Sequence, residues 1–415
     1  MGFAESSSLT GDTMLRGTLS VVIVYLAGVT QGVIAQDAGK IELGAFDLTP
    51  RVSADFSYID NVIYSSDSGD QIESWRTVFA PGLLMSTEIG ANKLQLDYHL
   101  SRGTFFSSQA DNYTDNFVTL LSEYEINSRH RLKGEYRFED SHDDRGRRFS
   151  NGSGSELGSP DTFKSNRLIG VYSFGSSESA ANVDVNLDYM NLDYDIDEGD
   201  YVYRDRVATE LSAQLYYRLS TRSRFVIDLG RTDVNYDLAR STARSLDSVR
   251  TKMLAGFTWG STPASTSYVK VGYETKEFDS PDREDFEGLD WEVGLRWHPL
   301  SYSTVEITTL SDTRETNGES DFIDSQEYGV RWDHAWLQRL STYLDLRYVE
   351  NVYVGDLEIE DDRRDKMSNL RMGVSYDFRR WLNLGVYYHL SSRSSNRESV
   401  EFDRNIFGIT AKVTL

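Results

Sequence analysis

NIFGITAKVTL, residues 405 to 415, is the stretch that decides the fold. Every second position carries a hydrophobic or small apolar side chain: Phe407, Ile409, Ala411, Val413 and Leu415. The positions between them are mostly polar or small. Because side chains of a β-strand point alternately to opposite faces, the stretch predicts a strand with one apolar face. We therefore expect a sheet that includes the C-terminal residues.

The position of this strand resembles the terminal signal that bacterial outer-membrane barrels present to their assembly machinery. The matching residues are Phe407, Gly408, Ala411, Val413 and Leu415. Leu415 stands where such signals usually have phenylalanine. The resemblance implies that the barrel assembly machinery is a partner. Terminal strands also occur in soluble sandwiches, so the rest of the chain must decide.

Composition favours a strand barrel over a helical membrane protein. Only 39% of the 415 residues are hydrophobic, with 25 tyrosines and six prolines, and the mean hydropathy is −0.49. A barrel tolerates this composition because half of each strand faces a wet lumen. The chain has no cysteine, so disulfides do not stabilise it. Its formal charge of −23 disfavours nucleic acid as a partner.

The N-terminus predicts export. Residues 19–35, LSVVIVYLAGVTQGVIA, follow Arg16 and end in small residues at the cleavage positions, as in a secretory signal peptide. We expect a signal peptide over residues 1–35, a periplasmic lead-in over 36–45 and an outer-membrane barrel over 46–415.

Strands and turns repeat along the whole mature chain. Alternation is clearest from Tyr203 to Leu219, and eighteen such strands are counted, with sixteen as the alternative. Tight connections alternate with longer polar ones, and residues 139–162 form the longest polar insertion, which reads as an exposed loop. The sequence predicts an all-β fold: one transmembrane, antiparallel, up-and-down barrel with both termini in the periplasm. A soluble propeller is disfavoured because one strand face is strongly charged.

The polar strand faces define candidate lumen residues. Charges of both signs on adjacent strands predict a solvated wall of mutual pairs around a water-filled lumen. Tyr216 and Tyr387 offer aromatic faces that stack on sugar rings or simply pack on the wall. The candidates are Asp97, His99, Glu135, Arg137, Arg204, Arg206, Glu210, Tyr216, Arg218, Asp290, Glu292, Arg296, Glu327, Arg331, Asp345, Arg347, Arg371, Tyr387 and His389.

No catalytic pattern accompanies these residues. The chain has six histidines but no GxSxG or HExxH motif, so an enzyme is not expected. The acidic loops lack EF-hand spacing. We predict no metal and no cofactor, and no catalytic residue is assigned.

The mature chain resembles the outer-membrane β-barrel porin family encoded beside exopolysaccharide and capsule synthesis genes. The resemblance is carried by the opening IELGAFDLTPRVSADFSYIDNVIYS, residues 41–65, where an LTP step leads into a strand ending at Asp60, Asn61 and Val62. It implies a wide barrel in the outer membrane of a Gram-negative bacterium, in contact with lipids and lipopolysaccharide. It also implies a periplasmic polysaccharide-export protein and polysaccharide as partners.

The sequence therefore leaves three functions open. The first is polysaccharide export through an unplugged barrel. The second is a general or solute-specific diffusion porin, whose distinguishing feature is a long loop folded into the lumen; residues 139–162 are the candidate. The third is a structural or adhesion barrel that acts through its acidic loops.

Overall fold

The computed structural model describes residues 40–66, 69–176, 179–195, 203–238, 245–260, 266–316, 320–355 and 361–415. The predicted signal peptide, residues 1–35, lies outside this part of the chain, as does most of the acidic loop 195–200. No helix in the described residues is long and apolar enough to cross a membrane.

The described chain is built almost entirely of β-strands. In chain order they are β1 (Ile41–Leu43), β2 (Phe46–Ile59), β3 (Ser74–Ile89), β4 (Asn92–Phe105), β5 (Tyr113–Asn127), β6 (His130–Asp143), β7 (Asp161–Phe174), β8 (Ala181–Tyr194), β9 (Arg206–Arg218), β10 (Ser223–Tyr236), β11 (Ser248–Gly260), β12 (Thr266–Phe278), β13 (Phe286–Leu300), β14 (Ser303–Arg314), β15 (Phe322–Leu337), β16 (Leu340–Val354), β17 (Arg363–Arg379), β18 (Leu382–Ser395) and β19 (Phe402–Thr414). Among the described residues the helical segments are short 3-10 turns.

Strands β2 to β19 form a closed barrel of eighteen strands, which confirms the predicted fold class. Each strand pairs antiparallel with the next one in sequence, and β19 closes the ring on β2. The closing register runs from Ile406 opposite Ile59 to Thr414 opposite Arg51. Closure leaves no sheet edge, which a membrane barrel requires. Because the strand number is even, β2 begins and β19 ends at the same end of the barrel, where the short turns lie.

The short strand β1 folds back on the start of β2. Gly44, whose φ is +64°, makes the turn between them, and Leu43 pairs with Phe46. Glycine adopts this left-handed conformation without steric cost. At the same end of the barrel, the Leu415 amide donates to the Pro50 carbonyl at 3.1 Å. The C-terminal residue is thus tied to the first barrel strand.

The two strand faces differ as the alternation predicts. On the outside, Leu211 and Leu289 are 59% and 70% exposed in the isolated chain, which suits side chains that contact lipid. On the inside, Gln214 and Glu274 are 1% exposed. The lumen wall is therefore a polar layer in which side chains pack against one another.

Two predicted boundaries need correction. The strand expected from Tyr203 to Leu219 is β9, Arg206–Arg218, because residues 203–205 belong to the preceding loop. The expected exposed loop over 139–162 contains the ends of β6 and β7, and its connecting part, residues 144–160, is folded inward and partly buried.

Candidate functional site: the outer mouth and the lumen wall

Residues 144–160, here called the mouth segment, connect β6 to β7 at the end opposite the short turns. Gly146 and Gly152 have φ of +84° and +82°, and a 3-10 turn spans Arg148–Ser150. A Cβ at Gly146 would collide with the Ile63 carbonyl oxygen in the connection between β2 and β3. The glycines thus let the segment turn back over the barrel and lie against its backbone.

The mouth segment reaches across part of the lumen. Arg393 Nη1, on β18, donates to Asn151 Oδ1 at 2.9 Å. Gly152 lies against the Ser399 carbonyl and the Val400 side chain, which connect β18 to β19. Four strands, β2 to β5, separate β6 from β19 around the ring. These contacts therefore run over the opening and do not follow the wall.

Ion pairs hold the base of the mouth segment. Arg145 Nη2 lies 2.6 Å from Asp111 Oδ2, and Arg148 Nη1 lies 2.8 Å from Asp143 Oδ1. The Asp111 hydrogen bond raises the pKa of the Arg145 guanidinium. Both arginines are buried. A buried, hydrogen-bonded charge pair costs several kcal/mol when one partner is removed, so these pairs fix where the segment starts.

Asp144 is the charged residue at which the mouth segment leaves β6. Its carboxylate accepts from the Tyr64 hydroxyl at 3.1 Å, and His142 Nε2 lies 3.5 Å from Asp144 Oδ1. Burial by itself would raise the pKa of Asp144, but the hydrogen bond and charge of His142, with Arg404 and Arg147, outweigh it and lower that pKa. Asp144 is therefore an anion at neutral pH.

Arg204 belongs to this mouth structure. It was predicted on a strand face, but it lies in the loop before β9, where its guanidinium stacks on Phe149 of the mouth segment at 3.5 Å from the ring centroid. Its Nη1 is 3.8 Å from Asp161 Oδ2. Phe149 also packs against the buried cluster of Phe163, Leu192 and Tyr194. The 3-10 turn of the mouth segment is thus held by an aromatic and cationic contact.

Predicted lumen residues on β4 to β6 lie in local pairs. Asp97 accepts from Arg51 on β2, and His99 stacks on Phe117 with ring centroids 4.7 Å apart. Glu135 and Arg137 form an ion pair within β6.

On β9, the predicted residues point to the interior and bond to near neighbours. Arg206 lies over the Tyr236 ring at 5.8 Å, and Glu210 faces Arg250 at 3.8 Å. Tyr216 Oη donates to Gln214 Oε1 at 2.6 Å. Arg218 Nη2 donates to the Ser179 carbonyl at 2.8 Å, which places it at the short-turn end.

From β13 to β17 the predicted residues form a run of ion pairs. Asp290 and Glu292 both contact Lys252, at 2.7 Å and 2.9 Å. The other contacts pair Arg296 with Glu306, Arg331 with Asp333 and Asp345, Arg347 with Asp345 and Glu327, and Arg314 with Glu327. Arg371 lies opposite His389 and Asp345 in register.

The closing seam brings together two groups of predicted residues. Tyr387 is inward on β18 and lies directly opposite Gly408 of the terminal strand. A Cβ at Gly408 would collide with the Tyr387 ring. His389 packs beside Tyr387 with ring centroids 4.7 Å apart. Phe407 is 51% exposed on the outer face, and Ala411 and Val413 pair with Ala54 and Val52 across the seam.

Several residues of the mouth and wall were not singled out from the sequence. They are Arg145, Arg148, Asn151, Lys252, Lys270, Glu274, Asp312 and Arg393. Alternation gave a signal for those on strands, because Lys252, Lys270 and Glu274 occupy inward positions of β11 and β12. No sequence signal pointed to Asn151, since a polar residue in a Gly- and Ser-rich stretch is typical of an exposed loop.

The comparisons with known proteins agree with the architecture. The family model described as Putative beta-barrel porin 2 matches residues 36–415. None of the curated proteins searched matches the chain.

Solved channel structures from Pseudomonas aeruginosa are among the structures that match the chain. OccK2 (OpdF) is 13% identical with a TM-score of 0.49, covering 89% of this chain and 98% of that chain. OpdL is 12% identical with a TM-score of 0.47, covering 90% and 100%. OpdK with vanillate is 12% identical with a TM-score of 0.47, covering 89% and 99%.

Proposed function

The chain belongs to the family described as Putative beta-barrel porin 2, and on that premise we propose that it is a solute-diffusion porin whose outer mouth is narrowed by residues 144–160. Membership makes it a non-enzymatic outer-membrane channel. The observation that carries the finer proposal is the Arg393–Asn151 hydrogen bond across the opening. A segment held there limits the size of solutes that enter.

The architecture of the mouth supports restriction rather than full closure. The segment is anchored at its base by Arg145 and Arg148 and at its far side by Asn151 and Gly152. It bridges β6 and β7 to β18 and β19, and its Phe149 also packs on β8 and on the loop before β9. Among the described residues, the strands from β10 to β17 lie outside these contacts. Solutes therefore enter beside the segment, along the charged wall.

Liposome swelling with sugars of increasing size tests the proposal. A variant in which residues 147–157 are replaced by two glycines removes Asn151, Gly152 and Arg148 together. We expect it to admit larger sugars than the full chain. An equal size limit for both proteins would contradict a restricting role for the mouth segment.

A control variant keeps both the length of the mouth segment and the contacts that anchor it. Ser155 and Glu156 are exposed, so replacing both with alanine changes two side chains of the segment without touching its anchors. This variant is expected to retain the size limit of the full chain.

Polysaccharide export, which the family resemblance implied, is the second proposal. The mouth segment, which Arg393 and Asn151 hold over the opening, does not favour export, because a polymer conduit needs an unobstructed mouth. Its partners would be a periplasmic export protein and the polymer itself. Deletion of the gene tests it: polymer retained in the periplasm supports export, and normal surface polymer contradicts it. Contacts with lipopolysaccharide and with the assembly machinery likewise remain proposals.

A further inference from the structure

Three inward tyrosines lie across the lumen wall instead of projecting from it. Each stands directly opposite a glycine of the next strand, in the pairs Tyr268 with Gly294, Tyr343 with Gly373 and Tyr387 with Gly408. A Cβ built on any of these glycines would collide with the facing ring, and the three atoms nearest to it are in every case Cε1, Cζ and Oη of the tyrosine. The outer edge of each ring therefore fills the space that a side chain would occupy.

This geometry turns one face of each ring toward the lumen. The other face packs on the glycine backbone, and all three tyrosines are half-buried. Tyr216 differs, because it stands opposite Val226 and bonds to Gln214 within its own strand. A glycine opposite the tyrosine thus lets the ring lie down and present a flat aromatic surface.

Two of these rings belong to one patch of the wall. Gly373 of β17 is opposite Tyr343 of β16 on one side and opposite Tyr387 of β18 on the other. Both rings lean toward the next strand, over Gly373 and Gly408 respectively. Because neighbouring strands are about 4.8 Å apart, the two tyrosines are about 10 Å apart along the wall. We call these two tyrosines and two glycines the tyrosine shelf.

Polar side chains line the edge of the tyrosine shelf that faces the outer mouth. One step along the same inward face, Asp345, Arg371 and His389 lie in register on β16, β17 and β18. His389 packs beside Tyr387 with ring centroids 4.7 Å apart, and Asp345 Oδ1 lies 3.3 Å from Arg347 Nε. This edge places hydrogen-bond donors and an acceptor beside a solute that lies on the shelf.

The opposite edge of the tyrosine shelf, toward the short turns, carries small residues. There the same face has Ser341, Ser375 and Gly385 in register. They leave room for a solute that covers the two rings and Gly373. The shelf therefore combines a flat aromatic floor, a polar edge and a low edge, and such a mixture of aromatic surface with a few polar groups is typical of small-molecule sites.

We propose that the tyrosine shelf is a binding site for sugar rings, so that the channel favours monosaccharides and short oligosaccharides over open-chain solutes of similar size. This inference rests on the proposed porin function and specifies its substrate class. The CH-rich face of a pyranose ring packs on an aromatic face, whereas its hydroxyl rim requires donors and acceptors. The shelf offers both, and its two rings are spaced for a short oligosaccharide.

The polar edge favours a hydroxylated ring over a charged one. Arg331 contacts Asp333 at 2.8 Å and Asp345 at 3.6 Å, and Arg347 contacts Asp345 and Glu327. Guanidinium donors and carboxylate acceptors are thus interleaved along the wall. Hydroxyl groups donate and accept, so they match such a wall better than a carboxylate, which only accepts.

The experiment measures how far sugars block the ion current of single channels in a planar bilayer, with each solute added on both sides. We expect glucose to halve the current at a lower concentration than sorbitol, which has as many carbons but no ring. Maltotriose is expected to act at a lower concentration still, because it reaches both tyrosines. Benzoate, a flat anion, is expected to block less than maltotriose.

Three variants separate ring stacking from other effects. Y343L/Y387L removes both aromatic faces and is expected to raise the half-blocking concentration of maltotriose about tenfold. Y343F/Y387F keeps both rings and is expected to stay within about twofold of the full chain. Y376L is the matched control, because Tyr376 lies between them on β17 but is 42% exposed on the outer face.

The outcomes separate this inference from the proposed function. Equal block by glucose and sorbitol overturns the shelf site, and so does stronger block by benzoate than by maltotriose. An unchanged value in folded Y343L/Y387L, or an equal loss in the phenylalanine variant, also overturns it. If the leucine double variant does not fold, Y343L alone decides by the same criterion. A full chain that conducts no ions overturns the porin function, and titration calorimetry with maltotriose then decides the site by itself.

Discussion

Tyr387 Oη donates a hydrogen bond to Asp55 Oδ2 at 2.7 Å, from β18 to β2 across the terminal strand β19. The two residues are 332 positions apart in sequence. Beneath the Tyr387 ring lies Gly408, where any Cβ would collide with that ring. The Tyr387 side chain thus spans the seam at which β2 and β19 meet, and its ring covers β19 at Gly408.

Tyr387→Phe removes the hydroxyl and keeps the ring over Gly408. We expect it to lower the free energy of unfolding by about 1 kcal/mol, because a buried hydrogen bond is lost and Asp55 loses a donor. Urea unfolding followed by tryptophan fluorescence measures the change. Tyr268→Phe is the matched control, since Tyr268 also lies opposite a glycine, Gly294, but away from the seam. An equal loss of unfolding free energy in both variants would contradict the role of the Tyr387–Asp55 hydrogen bond at the seam.

Gly408→Val is expected to impair barrel assembly more than Tyr387→Phe, because the added side chain displaces the Tyr387 ring and disrupts the seam between β2 and β19. The measurement is the yield of barrel that migrates in folded form on unheated gels. Gly134→Val is the control, because nothing lies within 4 Å of a Cβ built at that glycine. A Gly408→Val variant that assembles fully would contradict the role of the Tyr387–Gly408 contact in closing the barrel.

Arg393→Ala removes the far anchor of the mouth segment. We expect a larger single-channel conductance and more frequent current fluctuations, because Asn151 loses its 2.9 Å partner on β18. Arg380→Ala, at an exposed short turn on the other end of the barrel, removes the same charge as a control. Identical conductance in the two variants would show that Arg393 does not hold the segment.

Acid is expected to release the base of the mouth segment. The pKa of Asp144 is lowered in the folded state, so its contribution to stability is present above the unfolded value of about 3.9. That contribution is lost as the pH falls through the lower folded pKa. Conductance should therefore rise as the pH is lowered below about 4. Asp144→Asn should show the larger conductance at neutral pH, and a variant that behaves like the parent at pH 7 would contradict this role.

The alternation of apolar and polar residues along the chain was sufficient to predict the barrel, since it distinguishes the inward and outward faces of each strand. It also identified Tyr387 and Gly408 separately, on the lumen face and in the terminal signal. It did not show that they meet, because register between strands depends on turn geometry and closure. Only pairing in three dimensions places the tyrosine over the glycine.

The mouth segment shows where sequence reasoning stops. Gly146, Ser150 and Gly152 indicate a loop, and such composition gives no direction for the loop to fold. Its inward path depends on long-range partners such as Ile63, Ser399 and Arg393, which lie far away in sequence.

Single-channel conductance of the purified barrel in a planar bilayer, compared with that of the variant lacking residues 147–157, tests the central claim most directly. A restricted diffusion porin predicts a steady, small conductance for the full chain and a clearly larger one for the shortened variant. No conductance in the full chain, or equal conductance in the two proteins, would contradict it.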